Sequence, residues 1–500
     1  MSTAHHPAST APSDLAAPLT AEELGAVHLI GVGGVGMSGL ARLLLTRGIP
    51  VSGSELREWP TLAGLRALGG TIHMTHEAGN LDGVQTVVYS TAIPQDHLEL
   101  VEARRRGLRV LHRSEALAAT MIGRRAVAVA GTHGKTTTTS MVTLILQRAG
   151  EDPSFVIGGE ISEVGSNAHH GSGQYFVVEA DESDRSFLLY HPYASIITNI
   201  DEDHLNTYGD YAGLELGFGE FARLTDPDGF VVTCADDPGT RRMAQALRAE
   251  GRRVFTYGVA EDADLRLTEV VSSVHGVRYL ATLEGTPLGE IRLPIPGRHM
   301  GLNSASAVLT AVKLGIGLDA AVEALGAFPG VRRRFERKGA VDGIQVYDEY
   351  AYHPTSMTAA LQTLKEVARA GERPDGGSGG GRLIVVFQPY RVYRTRDLQA
   401  ELATALAIAD EVVMLEVFGP GEVRGPGEGG VALTDAVPLP AERKVFLASW
   451  EEVPAEVTRR ARPGDVVVTM GAPPISLMGD ELLVALTAAS VPGGAASRVG

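Results

Sequence analysis

The chain has little cysteine, no long apolar run and no excess of basic residues. Cys234 is the single cysteine, so an internal disulfide is excluded and a reducing compartment is favoured. No apolar stretch reaches the ~18 residues that a membrane-spanning helix needs, and residues 1–20 lack the segments of a signal peptide. With 44 Lys and Arg against 60 Asp and Glu, the net charge is −16, which disfavours nucleic acid as a partner. We therefore expect a cytoplasmic protein that inserts into no membrane and binds no nucleic acid.

Length and composition indicate a globular protein of several domains. At ~150 residues per domain, 500 residues suggest about three domains, and 44% hydrophobic with 21% charged residues is typical of a packed core. Apolar strand patterns alternate with helical ones, which predicts an α/β fold with mostly parallel sheets. The predicted organisation is a disordered tail (1–21), three units (22–120, 121–335 and 336–490) and a second disordered tail (491–500). The Gly-rich stretch 371–381 predicts a flexible insertion in the third unit.

The stretch AVAVAGTHGKTTTTS (126–140) predicts a phosphate-binding loop. A short apolar strand leads into Gly131 and Gly134, and Lys135 and Thr136 then open a helix. Glycines let backbone N–H groups surround phosphate oxygens at a helix N-terminus. Lys135 can reach the β/γ-phosphates and the Thr136 hydroxyl can bind Mg²⁺, although the spacing of the two glycines is shorter than usual. We interpret the loop as an ATP site rather than a simple glycine turn.

A second glycine-rich loop lies near the start of the chain. Gly31, Gly33 and Gly36 follow a predicted strand and match the dinucleotide-binding pattern, and Glu55 lies where that pattern holds a ribose. The diphosphate at such a loop can belong to NAD or to a UDP-sugar. An NAD-dependent oxidoreductase is therefore the rival interpretation, which the separate ATP loop disfavours because hydride transfer needs no ATP.

Acidic residues follow two predicted strands behind the phosphate loop. Glu179 opens EADESD (179–184), and His204 closes NIDEDH (199–204). Carboxylates at the carboxyl ends of parallel strands face the ligand crevice, and oxygen ligands there suit Mg²⁺. We predict Glu179 as the catalytic carboxylate and His204 as a metal ligand.

Eight motifs occur in an order that resembles the Mur ligases of peptidoglycan synthesis. They are GVGGVGMSGLA (31–41), GTHGKTTTT (131–139), EADESDRSF (179–187), NIDEDHLNTY (199–208), GRHMGLN (297–303), RRRFE (332–336), DEYAYHPT (348–355) and FQPYRVYRT (387–395). The resemblance extends from about Val27 to Leu486. It implies a Rossmann-like UDP-sugar-binding domain (22–120), a central P-loop ATPase-like domain with a mostly parallel sheet (121–335) and a Rossmann-like ligase domain (336–490).

The resemblance also implies an activity. It is the ATP-dependent joining of L-alanine to the lactyl carboxylate of UDP-N-acetylmuramate through an acyl phosphate, with ATP and Mg²⁺, by a monomer or homodimer. A muropeptide-recycling ligase of the same family and a non-catalytic UDP-sugar-binding regulator stay open as alternatives.

The implied site residues fall into three groups. The catalytic residues are Lys135, Glu179 and His204, and the metal ligands are Thr136, Glu179 and His204. The ATP site comprises Gly131, Thr132, His133, Gly134, Lys135, Thr136, Thr137, His299, Asn303, Arg334 and Asp348. The UDP-sugar site comprises Gly33, Gly34, Gly36, Met37, Ser38, Glu55, Ser90, Thr91, Ala92, His353, Arg391 and Arg394.

Several residues depart from the family pattern. Met300 stands where the family has Asn near the adenine, Tyr352 and Tyr390 replace His, and Asn206 replaces Asp. We expect Met300 to weaken base recognition, because a neutral hydrogen bond contributes ~0.5–1.5 kcal/mol. The preference among alanine, glycine and serine is left open.

Overall fold

The structure is a computed structural model that describes residues 19–161, 166–371, 380–419, 421–425, 427–472 and 474–490. Most of the tail predicted at 1–21, most of the insertion at 371–381 and the tail at 491–500 lie outside the described residues. Within the described ranges, the strands form three sheets, and each sheet belongs to one of three successive stretches of the chain. The predicted α/β class is confirmed.

The first unit is a parallel five-stranded sheet with helices on its faces. Its elements are β1 (Val27–Ile30), α1 (Val35–Thr46), β2 (Val51–Ser54), α2 (Pro60–Ala67), β3 (Thr71–His73), β4 (Thr86–Tyr89), α3 (Leu98–Arg105), β5 (Arg109–His112) and α4 (Arg113–Met121). The strand order is β3-β2-β1-β4-β5, and every pairing is parallel. The order reverses at β1, where an open α/β sheet holds its ligand beyond the carboxyl ends of the strands. The first glycine loop follows β1 at this point.

The second unit contains a ten-stranded mixed sheet. Its elements are β6 (Arg125–Ala130), α5 (Lys135–Arg148), β7 (Ser154–Ile161), β8 (Ser166–His169), β9 (Tyr175–Glu179), β10 (Ala194–Ile197), α6 (Leu205–Tyr208), α7 (Tyr211–Arg223), β11 (Phe230–Cys234), α8 (Pro238–Ala249), β12 (Val254–Gly258), β13 (Leu265–Ser273), β14 (Gly276–Leu283), β15 (Thr286–Leu293), α9 (Arg298–Lys313) and α10 (Leu318–Gly326). The order is β15-β14-β13-β12-β11-β10-β6-β9-β7-β8. The strand β6, which carries the phosphate loop, lies between β10 and β9. The two acidic loops therefore flank the phosphate loop.

The third unit has a six-stranded sheet. Its elements are β16 (Glu336–Val341), β17 (Ile344–Glu349), α11 (Pro354–Ala370), β18 (Leu383–Gln388), α12 (Val392–Asp397), α13 (Gln399–Leu406), β19 (Glu411–Met414), α14 (Gly430–Ala436), β20 (Lys444–Phe446), α15 (Val453–Arg460), β21 (Val466–Gly471) and α16 (Met478–Ser490). The order is β16-β17-β21-β18-β19-β20. The pairing of β16 with β17 is antiparallel, whereas the other pairings are parallel. The prediction of mostly parallel sheets is therefore confirmed, with β16 as an antiparallel strand at one edge of this sheet.

Packing joins the central unit to both neighbours. One apolar cluster combines residues of the first unit, such as Leu40, with Ala128 and Val178 of the central sheet. Another combines Val127 of the central sheet with Tyr347 and Met357 of the third unit. Buried apolar surface is the main source of such association, and it holds the three ligand-facing edges close together. Among the described helices, none has the length and apolar character needed to cross a membrane.

Candidate active site

The phosphate loop has the backbone geometry that its glycines predict. Gly131 has φ 122° and Gly134 has φ 83°, both in the region that glycine adopts readily. A Cβ at Gly131 would overlap Thr198, and one at Gly134 would lie 2.7 Å from the Asn303 Oδ1. The helix α5 starts directly after Gly134, so its free N–H groups face the loop. These are the features of an anion site.

Lys135 is anchored within this loop. Its Nζ donates to the carbonyls of Gly131 at 2.7 Å and Thr132 at 3.3 Å, and it contacts Glu182 at 2.8 Å. Burial lowers the pKa of Lys135, but the charges of Glu182 and Asp181 outweigh this effect and the pKa is raised. Lys135 therefore stays cationic, as a phosphate ligand requires.

Sequence reasoning did not single out Glu182. Its side chain is 2% exposed, and burial raises its pKa to about 7 although the charge of Lys135 acts in the opposite direction. Its position three residues after Glu179, in the same acidic loop, was the available signal. Glu182 therefore forms a buried ion pair with the Lys135 ammonium.

Thr136 and Glu179 form the candidate magnesium site. The Thr136 hydroxyl lies 3.0 Å from Glu179 Oε2, and the backbone N–H of Gly158 donates to the same oxygen at 2.8 Å. A hydroxyl beside a carboxylate, next to a phosphate loop, fits Mg²⁺, which is bound by oxygen ligands and phosphates. The Arg334 guanidinium lies 3.4 Å from the Thr136 hydroxyl. Arg334, which shortly precedes β16, therefore reaches this site from the boundary between the second and third units.

His204 lies in the second acidic loop, at the start of α6, with φ 55°. Its Nε2 is 3.6 Å from Asp203, and burial lowers its pKa. A neutral imidazole is the form that binds metal. The contact of His204 is with Asp203, whereas Thr136 and Glu179 contact each other. Among the described contacts, His204 is therefore not joined directly to the other two predicted metal ligands.

The phosphate loop, the second acidic loop and the third unit meet through two histidines. His133 Nε2 shares a hydrogen bond of 2.8 Å with Asp201, and the backbone N–H of His133 donates to the Asn199 side chain. His353, at the start of α11, lies 3.7 Å from the same Asp201 carboxylate and 3.1 Å from the Glu202 carbonyl. His353, predicted for the UDP-sugar site, is thus placed beside His133 of the predicted ATP site.

A buried ion pair connects the same loop with α12. Arg394, which is 4% exposed, donates to Asp203 at 2.9 Å. Its guanidinium also lies over the Tyr352 ring, 4.8 Å from the centroid. Burial raises the pKa of Asp203, but the charge and hydrogen bond of Arg394, together with the neighbouring histidines, outweigh burial and lower the pKa to about 2. Arg391 instead points to Glu422 within its own unit, at 3.3 Å, so the structure does not bring the two arginines onto one partner.

The structure brings only some of the residues predicted near the adenine base to the phosphate loop. Asn303 lies against Gly134, at the phosphate loop. Burial lowers the pKa of His299 to about 4, so this imidazole is neutral. Met300 is 4% exposed and belongs to the main apolar core. We therefore revise the expectation that the Met300 side chain replaces a polar contact to the base.

Asp348 lies in β17, apart from the phosphate loop. It is 1% exposed and accepts a hydrogen bond of 2.9 Å from the Thr469 hydroxyl, while burial raises its pKa to about 6. Its other carboxylate oxygen has no hydrogen-bond partner among the described residues. This second oxygen is buried with the rest of the side chain.

The first glycine loop packs against side chains that the prediction only partly included. The Gly33 N–H donates to Glu55 at 3.2 Å, and a Cβ at Gly33 would overlap Trp59. A Cβ at Gly36 would lie 2.6 Å from the guanidinium of Arg113. Sequence reasoning missed Arg113 and Trp59, because each is distant from the glycines along the chain.

The remaining residues predicted for the UDP-sugar site lie around this loop. Gly34 precedes α1, and Met37 and Ser38 are buried in its first turns. The Thr91 hydroxyl donates to Asp184 of the first acidic loop at 2.8 Å, and Ser90 and Ala92 flank it in the same turn. A cavity of about 230 Å³ lies between the units and is lined by Ser38, Asn167 and Arg332 among others.

Comparison with known proteins identifies the family. Three family models match successive parts of the chain: the Mur ligase family catalytic domain at residues 26–125, the Mur ligase middle domain at 129–311 and the Mur ligase glutamate ligase domain at 333–473. The chain therefore belongs to the Mur ligase family.

Particular members resemble it along nearly the whole length. The UDP-N-acetylmuramate–L-alanine ligase of Salinispora arenicola is 75% identical over 493 residues, which cover 97% of this chain and 94% of that protein. The protein of the same name from Acidothermus cellulolyticus is 50% identical over 455 residues, covering 91% and 93%. The crystal structure of UDP-N-acetylmuramate-alanine ligase from Thermotoga maritima matches with a TM-score of 0.78 at 29% identity, covering 93% of this chain and 99% of that one.

Proposed function

We propose that this chain joins L-alanine to the lactyl carboxylate of UDP-N-acetylmuramate with consumption of ATP, in the synthesis of peptidoglycan precursors. The observation that carries the proposal is the convergence of Glu179 and Arg334, from separate elements, on the Thr136 hydroxyl beside Lys135 of the phosphate loop. The 75% identical relative, named for this reaction, supports the same substrates. The reaction belongs in the cytoplasm, where ATP is available and a lone cysteine stays reduced.

The lactyl carboxylate is a poor electrophile and must be activated before an amine can attack it. A carboxylate oxygen of the sugar attacks the γ-phosphorus of ATP, and ADP leaves to give an acyl phosphate. The amine of alanine then attacks the acyl carbon, and the tetrahedral intermediate expels phosphate and loses a proton to form the amide. The two anions that meet in the first step need positive charge around the transferring phosphoryl group.

The chain provides this charge at defined atoms. The pKa of Lys135 is raised and its ammonium is directed into the loop. The N–H groups at the start of α5 add positive potential. Thr136, Glu179 and His204 would hold Mg²⁺, which when bound neutralises phosphate charge. Arg394 and His353 come from the third unit, contact the second acidic loop and would face the acyl-phosphate end.

The three sheets support an allocation of substrates to units. We assign the UDP moiety to residues 22–120, where Gly33, Gly34 and Gly36 precede a helix. We assign ATP to 121–335 and the amino acid to 336–490. In this allocation Asn303 and the unpartnered Asp348 oxygen would contact the nucleoside.

A phosphate-release assay tests the proposal. Release is expected only with UDP-N-acetylmuramate, L-alanine and ATP–Mg²⁺ together, and omission of any one should abolish it. A panel of alanine, glycine, serine and the free tripeptide L-alanyl-γ-D-glutamyl-meso-diaminopimelate then separates the alanine ligase from the recycling ligase. Selective use of the tripeptide favours recycling. Binding of the UDP-sugar without turnover supports the non-catalytic regulator, and binding of NADH supports the oxidoreductase. A monomer or homodimer is expected by light scattering.

A further inference from the structure

A second group of titratable side chains lies in the first unit. His76 follows β3, His97 and Glu99 lie at the start of α3, and His28 lies in β1. His28 and Glu99 are fully buried. One ligand atom from each of His76, His97 and Glu99 lies within 4.8 Å of the other two. No step of the proposed reaction uses this group, which we call the histidine cluster (His28, His76, His97 and Glu99).

The donor atoms of the histidine cluster converge on one carboxylate. His76 Nδ1 lies 3.2 Å from Glu99 Oε2, and His28 Nε2 lies 3.7 Å from Glu99 Oε1. The rings of His76 and His97 meet edge to face, with centroids 4.5 Å apart. Three imidazoles therefore surround one buried carboxylate.

Two nitrogens of the histidine cluster have no hydrogen-bond partner among the described residues. They are His28 Nε2, on a fully buried side chain directed at Glu99, and the buried His97 Nδ1. Buried polar atoms nearly always have a partner, so two unpartnered nitrogens at one carboxylate need a physical reason. Imidazole nitrogens with free lone pairs facing a carboxylate are suited to a metal ion.

We propose that His76, His97 and Glu99 bind a divalent transition-metal ion, preferentially Zn²⁺. Two imidazole nitrogens beside one carboxylate suit Zn²⁺, whereas Mg²⁺ and Ca²⁺ take mainly oxygen ligands. A tetrahedral site with bonds of about 2.0–2.1 Å separates its ligand atoms by roughly 3.4 Å. His97 is partly exposed, so its ring can turn inward to close the remaining gap.

Neighbouring side chains already orient the carboxylate. Asn80 Nδ2 donates to Glu99 Oε1 at 2.8 Å, and the Ser54 hydroxyl donates to Glu99 Oε2 at 2.6 Å. Such outer contacts fix the direction of a metal ligand and strengthen binding. The ion would connect the segment after β3 with the start of α3. Its role is therefore to stabilise the first unit.

The experiment titrates the full chain, stripped of metal by a chelator, with Zn²⁺ alone. The parent chain is compared with His97→Asn and with the matched control His275→Asn, whose imidazole is exposed in the turn between β13 and β14. Calorimetry should show Zn²⁺ affinity at least ~10-fold weaker in His97→Asn and unchanged in the control. Anomalous diffraction at the zinc edge should place a peak at bonding distance from His76 and Glu99.

The position of the bound ion must be determined, because His133, Asp201 and His353 also form a group that could hold a metal. A zinc peak at that group alone, or no peak, would overturn the proposal, and so would equal affinities of the parent and His97→Asn. The circular dichroism of metal-free His97→Asn should match that of the parent. If that variant does not fold, His76→Gln takes its place in the same comparison, with the same two outcomes.

Discussion

Replacement of Lys135 by alanine tests the central claim about the phosphate loop. The ammonium contacts two loop carbonyls and Glu182, whereas the Arg334 guanidinium reaches the start of α5 at the Thr136 hydroxyl. Removing one group that stabilises developing transition-state charge costs about 2.7–4 kcal/mol, which corresponds to roughly 10²–10³ in kcat. We expect a loss of phosphate release of at least about 100-fold.

The same substitution leaves Glu182 without its cation. Breaking a buried ion pair costs about 3–5 kcal/mol when the remaining charge is uncompensated. Since burial raises the pKa of Glu182 to about 7, this carboxyl can take up a proton near neutral pH and avoid most of that cost. The Lys135→Ala chain should therefore fold, with a midpoint temperature that falls more at pH 8 than at pH 6.

The assay measures phosphate release with all substrates saturating, beside thermal unfolding at both pH values. Glu182→Gln is the matched control, because it removes the partner charge while Lys135 keeps its contacts to the Gly131 and Thr132 carbonyls. We expect that control to retain at least about a tenth of the parent rate. Near-normal phosphate release by Lys135→Ala would refute the assignment of the ATP loop.

Four further predictions concern the other parts of the site. Glu179→Gln should raise the Mg²⁺ concentration needed for half-maximal phosphate release, because a charged ligand beside the Thr136 hydroxyl is lost; an unchanged titration would exclude Glu179 from the metal site. Gly36→Val should weaken UDP-sugar binding in calorimetry and leave ATP binding unchanged, because the new side chain would crowd Arg113 and the loop; equal UDP-sugar affinity would contradict this placement. Met300→Asn should lower the midpoint temperature, because an unpaired buried amide costs about 1–3 kcal/mol; unchanged stability with a lower KM for ATP would show instead that this side chain faces the base. The pKa of His299, lowered to about 4 by burial, should make stability fall as pH drops from about 6.5 toward 4, because only the unfolded chain takes the proton, and His299→Gln should flatten this dependence of the midpoint temperature.

Contiguous motifs were the features whose local geometry the sequence predicted. The strand β6, the turn at Gly131 and Gly134, and the helix beginning at Lys135 follow each other without a break, so local conformation alone brings their groups together at one loop. The same holds for the first glycine loop. The acidic loops were placed at the correct edge, because the carboxyl ends of neighbouring parallel strands meet there.

The spatial neighbours of residues distant along the chain could not be predicted from local patterns. Met300 illustrates the limit, since a motif comparison predicts the identity of a neighbour but not which face of α9 turns toward the core. The antiparallel edge at β16 illustrates it as well, because the short connection to β17 sets the strand direction there.

By itself the sequence determined the α/β class, the two glycine loops and the oxygen-rich chemistry at the phosphate loop, because each depends on residues within a few positions of one another. Tertiary structure decided which charges are paired. Lys135 and Glu182 are 47 positions apart, and Asp203 and Arg394 are 191 apart. Such contacts depend on the order of strands in a sheet and on the docking of one unit against another. Burial of apolar surface between units determines that docking, and no local pattern in the chain encodes its geometry.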